Sequence, residues 1–508
     1  MSGVGVSRRG SKTTGWPAAV SVLRRLGAAG SIVLGCLTLA SCGALDPGGP
    51  RVDAGPAIPT EAPKTTGVET PAGAEHKRLV AQFGGEYRAP VVEKLLNNIL
   101  AKLAPASDVP GEAYHVTLLN TPIVNAFALP SGNLYATRGL LALANDSSEV
   151  AAVMAHEIAH VTARHAAARA ELEKNSALIG KVAQVIQSRD KSQEVEARGR
   201  LSIAGFSRQQ ELDADQIGVK VIARAGFDAY GAPRFLASLG RSASLRASLL
   251  GQRSGEDRPD LMSTHPTTPE RVAKALTAAQ QVAAPSVGNT GRDEYLSAID
   301  GIDFGDDPAD GLVRGRKFTH PRLGFTFTAP DGFALDNSAQ AVLGVGAGGS
   351  EALRLDSVRV PATTTLEAYL GSGWIEGLQA KSIETISVNG LTAATATARG
   401  GEWTFRVAVL RFGSEVYRLI YATRSLTDTT DKRFRASIDT FRRLTSDEAA
   451  VVKPLHISVV KAGPTDTVDT FAARMAVSDK PLDMFLLLNG LERNGSVIPG
   501  ERYKLVVE

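Results

Sequence analysis

Two histidines four residues apart enclose a glutamate in Asp146-Ser-Ser-Glu149-Val-Ala-Ala-Val-Met-Ala-His156-Glu157-Ile-Ala-His160-Val-Thr-Ala-Arg-His165. On a helix, residues at this spacing project from one side about 6 Å from each other, so His156 and His160 can grip one metal ion. Glu157 lies one residue round and can reach a water held on that ion, which makes it a candidate catalytic proton acceptor. The chain has only 8 histidines in 508 residues, and the pattern would arise by chance in roughly one such chain in a hundred. The bland alternative is a pair of helix-surface histidines beside a solvated glutamate. A catalytic zinc site needs a third protein ligand and an open position for water.

The elements that would position these residues are also legible. Asp146 and Glu149 have capping-box spacing, which starts a helix there. Val150, Val153, Met154, Ile158 and Val161 recur at helical spacing and give that helix a buried face. Downstream, Ser207-Arg-Gln-Gln-Glu211-Leu-Asp-Ala-Asp215-Gln-Ile-Gly218 predicts a second helix. Glu211 and Asp215 share one face of it, and Gly218 lets another helix approach closely. Taken alone, such an acidic pair reads as a solvated face. His165, about 140° round from His160, reads as surface or helix-end structure.

Together these residues resemble the minigluzincin peptidases, which include the integral-membrane CAAX prenyl proteases and soluble periplasmic proteases of outer-membrane protein quality control. In that family the His-Glu-x-x-His helix is followed by a Glu-x-x-Ala-Asp helix, matched here by Glu211, Ala214 and Asp215. The resemblance implies a mainly α, zincin-type fold with one Zn2+ per chain, held by His156, His160 and Glu211. Glu157 would be the general base acting on a zinc-activated water, and Asp215 would accept a hydrogen bond from the far nitrogen of a liganding imidazole. Asn125-Ala-Phe-Ala-Leu-Pro-Ser-Gly-Asn-Leu-Tyr-Ala-Thr-Arg-Gly139-Leu-Leu resembles the family's small β-hairpin and following helix. A polypeptide could add as a strand along Phe127 to Thr137. The match covers roughly residues 75 to 280. It lacks the prenyl proteases' membrane helices, so the soluble branch is the right comparison.

His265 stands in Ser263-Thr-His265-Pro-Thr-Thr-Pro-Glu-Arg271, which resembles the family's loop before its last helix, with a helix start near Thr268-Pro269. Two readings stay open. His265 approaches the zinc as a fourth ligand or a transition-state donor, gating the site, or it is a structural turn histidine. The Gly- and Ser-containing stretch from Arg241 to Asp260 reads as a movable lid.

Arg24 and Arg25 precede an apolar, small-residue run from Leu26 to Ala40, followed by Leu39-Ala40-Ser41-Cys42. This resembles a bacterial lipoprotein signal, with residues 1–41 removed and a lipid placed on Cys42. Gly43 after the cysteine implies sorting to the outer membrane, so the expected location is the periplasm, lipid-anchored. Cys36 falls in the removed segment, so no disulfide is expected. Residues 42–74, rich in Pro, Gly, Thr and Ala, read as a flexible tether. The formal charge of +3 belongs to the leader: without Arg8, Arg9, Lys12, Arg24 and Arg25, all ahead of the first acidic residue, the rest carries −2. A near-neutral chain without a basic stripe excludes nucleic acid as a partner. Hydrophobic residues at 43% and charged residues at 21% are globular values.

The length calls for several domains. Residues 75–300 are assigned to the zinc peptidase and 315–445 to an α+β domain, faintly similar to PsbP-like sandwiches and without a catalytic cluster. Residues 455–508 resemble a small βααβ LysM module, which would bring peptidoglycan as a partner. Its usual Gly-Asp-Thr is stretched here to Gly463-Pro-Thr-Asp466-Thr467. Three functions compete: a zinc metalloendopeptidase acting on unfolded or misassembled envelope proteins, a non-catalytic chaperone or binding lipoprotein, and a peptidoglycan-directed zinc hydrolase.

Overall fold

Apolar residues recur at helical spacing up to about residue 300 and at strand spacing beyond it, and the computed structural model follows that change. It describes residues 71–167, 206–249, 265, 268–285, 287–338 and 341–508, which fall in one compact unit, Pro50–Glu508. The signal segment, Cys42 and the tether up to residue 70 lie outside the described residues. Among the described residues no helix is long and apolar enough to cross a membrane.

The first half holds α1 (Pro71–Gln82), α2 (Pro90–Ala106), β1 (His115–Leu119), β2 (Ala126–Ala128), β3 (Asn133–Thr137), α3 (Arg138–Leu143), α4 (Ser147–Thr162), α5 (Arg208–Arg224), α6 (Gly231–Leu249), α7 (Pro269–Val282) and α8 (Arg292–Ile299). In α2 the buried Val92, Leu95, Leu96, Ile99, Leu100 and Leu103 follow the helical period and seat it on the core. The expected hairpin is β2–β3, and β1 adds to β3 in parallel, giving the order β1-β3-β2. Residues 241–249 of the expected lid continue α6 as helix, and 250–260 lie outside the described residues.

The expectation of one buried face on α4 needs correction. Val150, Met154 and Ile158 are buried, but so are Ser148, Ala151, Ala155, His156, Glu157, Ala159 and His160, whereas Val153 and Val161 are only partly so. Helices α5 and α6, with α2 and β2, pack around it, so its polar residues lie inside the protein.

Beyond β4 (Asp303–Phe304), strands β5 (Leu312–Arg314), β6 (Lys317–His320), β7 (Phe325–Thr328), β8 (Phe333–Asn337), β9 (Val342–Gly346), β10 (Glu351–Arg359), β11 (Glu384–Val388), β12 (Leu391–Gly400), β13 (Trp403–Phe412), β14 (Glu415–Thr423) and β15 (Arg442–Arg443) form two sheets. Their orders are β11-β12-β13-β14-β10-β9-β8 and β15-β7-β6-β5. Between β10 and β11 the short helix α9 (Leu366–Leu370) stops at Gly371. Helix α10 (Asp428–Ile438) follows β14, after which Arg442–Arg443 pairs with β7 as β15. Phe318, Phe327, Tyr421, Phe434 and Phe441 fill the core beneath α10.

After α11 (Ser446–Val451), β16 (Leu455–Lys461), α12 (Val468–Ala472), α13 (Pro481–Leu488) and β17 (Arg502–Val507) follow in the order strand, helix, helix, strand. β16 pairs with β17 on one side and β4 on the other. Leu455, Ile457, Phe485, Tyr503 and Leu505 share one core with Ile99, Leu141, Tyr295 and Ile299 of the first half.

Candidate metal centre

Helix α4 begins where the side chain of Asp146 accepts a hydrogen bond from the Glu149 amide at 3.0 Å. Glu149 reaches past the cap residue and accepts from the Asn145 amide at 2.9 Å. Helix α5 starts at Ser207 with a full capping box to Gln210. The two helices cross at Gly218, where a Cβ would stand 3.2 Å from the His156 backbone nitrogen. That close crossing turns Glu211 and Asp215 toward α4. They are 0% and 7% exposed, so the solvated-face reading is excluded.

Four side chains converge. His160 Nε2 lies 3.0 Å from His156 Nε2, and each of these nitrogens lies 3.5 Å from a Glu211 carboxylate oxygen. His265 Nδ1 is 2.9 Å from Glu211 Oε1 and 3.4 Å from His156 Nε2. One donor atom from each of the four falls within 4.8 Å of the others. Donors about 2 Å from a zinc ion in a tetrahedron would be about 3.3 Å apart, so nitrogen and carboxylate donors at these separations fit that ion. His265 therefore joins the cluster, in the place where an open position was sought. Glu157 is buried beside it, its Oε1 3.8 Å from His265 Nε2.

A supporting layer holds these groups. Asp215 Oδ1 stands 3.0 Å from His156 Nδ1, as the resemblance implied. Arg271, buried on α7, bonds Asp215 through two nitrogens at 2.7 Å and reaches Glu211 Oε2 at 2.7 Å. The sequence reading missed Arg271, although it lies directly after the helix start at Thr268 and Pro269. His165 corrects another expectation. It is buried, with Nδ1 2.9 Å from His160 Nδ1, because α4 stops at Thr162 and Arg164 takes φ +53°, turning the chain back. The Phe206 ring stacks on His160 with centroids 4.0 Å apart, a contact that no sequence signal announced.

Electrostatics follow from this packing. Burial disfavours charge on His156, yet Asp215 and Glu211 overcome it and push its pKa up to about 10. Burial and the neighbouring His156 and His265 drive His160 well below the usual range. Glu157 is raised by burial, with His265 and His156 opposing.

A cavity of about 70 Å³ opens beside His156 and Glu157. Ala152, Val153, Phe235, Leu236 and Leu239 make its walls apolar, and Asn125 and Ala126 at β2 line its rim. Among the described residues β2 pairs only with β3, so its outer edge is an open strand edge.

Residues 90–279 match the model of peptidase family M48. Over 219 residues the chain is 31% identical to the beta-barrel assembly-enhancing protease of Escherichia coli (strain K12), an alignment covering 41% of this chain and 43% of that protein. Over 169 residues it is 35% identical to the mitochondrial metalloendopeptidase OMA1 of Arabidopsis thaliana, covering 33% of this chain and 32% of that one. The chain thus spans less than half the length of these relatives. A solution structure of cyanobacterial PsbP from Synechocystis sp. PCC 6803 matches with TM-score 0.21 at 14% identity, over 27% of this chain and 98% of that chain. The M48 match and the metalloendopeptidase relatives support a metalloprotease hydrolase.

Proposed function

We propose that this chain, whose residues 90–279 match peptidase family M48, is a zinc-dependent endopeptidase of the bacterial cell envelope acting on unfolded or misassembled polypeptides. One observation carries the reading: His156, His160, Glu211 and His265 converge on a single point beside a buried glutamate and an apolar cavity.

Held by His156, His160 and Glu211, zinc would supply the Lewis acid that polarises a peptide carbonyl and acidifies water. Glu157 accepts the proton from the attacking water and delivers it to the leaving amine, a role suited to a carboxyl raised by burial. Asp215 orients His156, and Arg271 fixes both carboxylates by paired hydrogen bonds. His265 takes the fourth place in the cluster, so substrate entry requires it to withdraw. The β2 edge offers main-chain hydrogen bonds to an extended segment, and the cavity accepts one apolar side chain from it. Main-chain pairing plus an apolar pocket suits chains that expose their core residues, which is why unfolded polypeptide is the substrate class.

The envelope location rests on Arg24, Arg25, the run Leu26 to Ala40 and the lipid acceptor Cys42. Peptidoglycan contact by residues 455–508 is the smaller proposal. A glycan would be held at the Gly463 to Asp466 side of that module, where Pro464 and Thr465 are exposed.

The deciding experiment is digestion of casein by the zinc-loaded full chain, with Glu157→Gln and a chelator as controls. Wild type cleaves, and both controls lose about 10²- to 10⁴-fold in rate. A folded, zinc-bound wild type that stays inert, and whose His265→Ala variant stays inert too, sinks the peptidase reading in favour of a binding protein.

A further inference from the structure

Lys504 is a strand residue of the C-terminal module, yet its side chain is fully buried in the first half of the molecule. Its Nζ donates to the carbonyls of Ala142 at 2.8 Å, Leu143 at 3.3 Å and Ala144 at 2.5 Å. An ammonium has three protons to give, and these are the last carbonyls of α3, which lack partners within their own helix and face its negative end. Burial pulls the ammonium down from its usual range, and the nearby Glu149 carboxylate opposes that shift.

Only Ala144, Asn145 and Asp146 separate α3 from α4, and each is gripped. Besides the Lys504 bond to Ala144, Asn145 donates its amide to Glu149, and Asp146 caps the helix while pairing with Arg234 at 2.8 Å. Arg292 bridges the module to the same turn, donating to Asn145 O and Arg502 O at 3.0 Å each. Gly490, at φ +65°, lies so close to Asn145 that a Cβ would stand 3.2 Å from Nδ2. On the module side the Asn489 side chain fixes the Lys504 backbone by two bonds, accepting from its amide at 2.7 Å and donating to its carbonyl at 2.9 Å. The cap lies ten residues from His156, about 15 Å along the axis, so a small tilt at the cap displaces the metal-facing imidazole.

We propose that Lys504 is a positioning residue for the metal-site helix: the C-terminal module inserts it to clamp the α3–α4 turn and is a built-in part of the peptidase. An appended binding domain would meet its neighbour over a polar surface and a flexible linker. Here the module shares the peptidase core and extends its own sheet with β4.

The test compares the full wild-type chain with Lys504→Met, which keeps the length and removes the charge. Phe471→Leu, a cavity against Phe485 and Tyr503 on the module side of the shared core, is the matched control for lost stability. The kinetic half rests on the metallopeptidase reading above: Lys504→Met lowers kcat by 10- to 100-fold with KM within twofold, while Phe471→Leu at equal thermal stability leaves kcat within twofold. Hydrogen exchange does not depend on that reading. Amides of residues 144–150 lose at least tenfold protection in Lys504→Met, and those of β16 and β17 keep theirs. Should Lys504→Met fail to fold, Arg292→Met is read instead, with a three- to fivefold loss in the same parameters. Unchanged exchange at 144–150, or equal kcat losses in Lys504→Met and Phe471→Leu, overturns the proposal. An inert wild type with selective loss of protection at 144–150 supports it and counts only against the peptidase reading.

Discussion

Buried charges in the two halves of this molecule differ in how they are partnered. In the β region the buried carboxylates meet guanidinium groups alone: Asp356 pairs with Arg418 at 2.6 Å and Arg354 at 2.7 Å, and Asp431 pairs with Arg406 at 2.6 Å and Arg435 at 3.0 Å. Both groups sit beside cores of Phe, Leu, Val and Ala, with every carboxylate oxygen facing cationic donors. Around α4 the described residues do not pair one to one. Glu157, Glu211 and Asp215 meet His156, His160, His265 and the single guanidinium of Arg271 within a few ångströms, and two imidazoles are forced apart in their proton affinity. Burying ionisable groups without one-to-one compensation costs stability, so a fold keeps such a cluster for what it binds. A closed pair, by contrast, is explained by structure alone.

The sharpest way to break this contrast is Arg418→Met. It leaves Asp356, whose side chain is 3% exposed, with Arg354 as its sole guanidinium among the described residues, and is expected to cost about 3 kcal/mol, the low end for breaking a buried pair. Calorimetry should show the β region melting early while casein cleavage, assayed below that transition, is unchanged. A loss of cleavage in the still-folded variant would mean that the β region is coupled to the site.

A pH series sharpens the same contrast. Burial, with Arg322 adding, pulls the His320 imidazole down to about 4, and its Nδ1 accepts from the Leu323 amide as a neutral ring must. Since the unfolded chain takes up this proton near 6.5, the stabilisation is complete above that pH and is lost as pH falls toward 4, by about 3 kcal/mol in all. Asp306, raised to about 6 by burial, titrates in the opposite sense. The measurement is therefore the stability gap between wild type and His320→Phe by urea unfolding from pH 7.5 to 4.5. A constant gap would show that His320 keeps its ordinary affinity.

Next in size is Asp215→Asn, which leaves His156 without its anionic acceptor. Zinc affinity, read by competition with a chromophoric chelator on the folded variant, should fall about 10- to 100-fold. An unaltered affinity would reduce the Asp215–Arg271 pair to the structural kind found in the β region.

What was legible in the sequence follows the range of the forces involved. Helices α4 and α5 could be read because their caps, Asp146 and Ser207, and the His156–His160 spacing are local. Glu211 meets those histidines across some fifty residues, and only a family resemblance brought it to them. Arg271 shows the limit: its helix start was plain, but its partner Asp215 lies 56 positions away and nothing local marks the pair. His165 was misplaced by carrying the helical angle through Arg164, where the backbone turns left-handed. Strands β8, β9 and β11 carry only a weak local pattern: β8 and β11 lie at sheet edges, β9 holds two glycines, and β11 alternates polar residues. Lys504 looked like any strand lysine, because its burial is decided by residues more than 350 positions away.

The smallest effect separates packing from chemistry within the metal site itself. At Gly218 an added methyl would sit 3.2 Å from the His156 nitrogen and 3.4 Å from its Cα. The helix interior favours alanine over glycine by about 1 kcal/mol, and the tight contact opposes that with a cost of similar size. Gly218→Ala should therefore leave overall stability within about 1 kcal/mol of wild type. The contact is relieved by parting α4 from α5 by a few tenths of an ångström, and those helices hold the imidazoles and the Glu211 carboxylate respectively. Zinc affinity should then fall severalfold at unchanged stability. If stability falls instead and zinc affinity holds, the glycine serves helix packing, and the metal cluster tolerates more play than its crowded charges suggest.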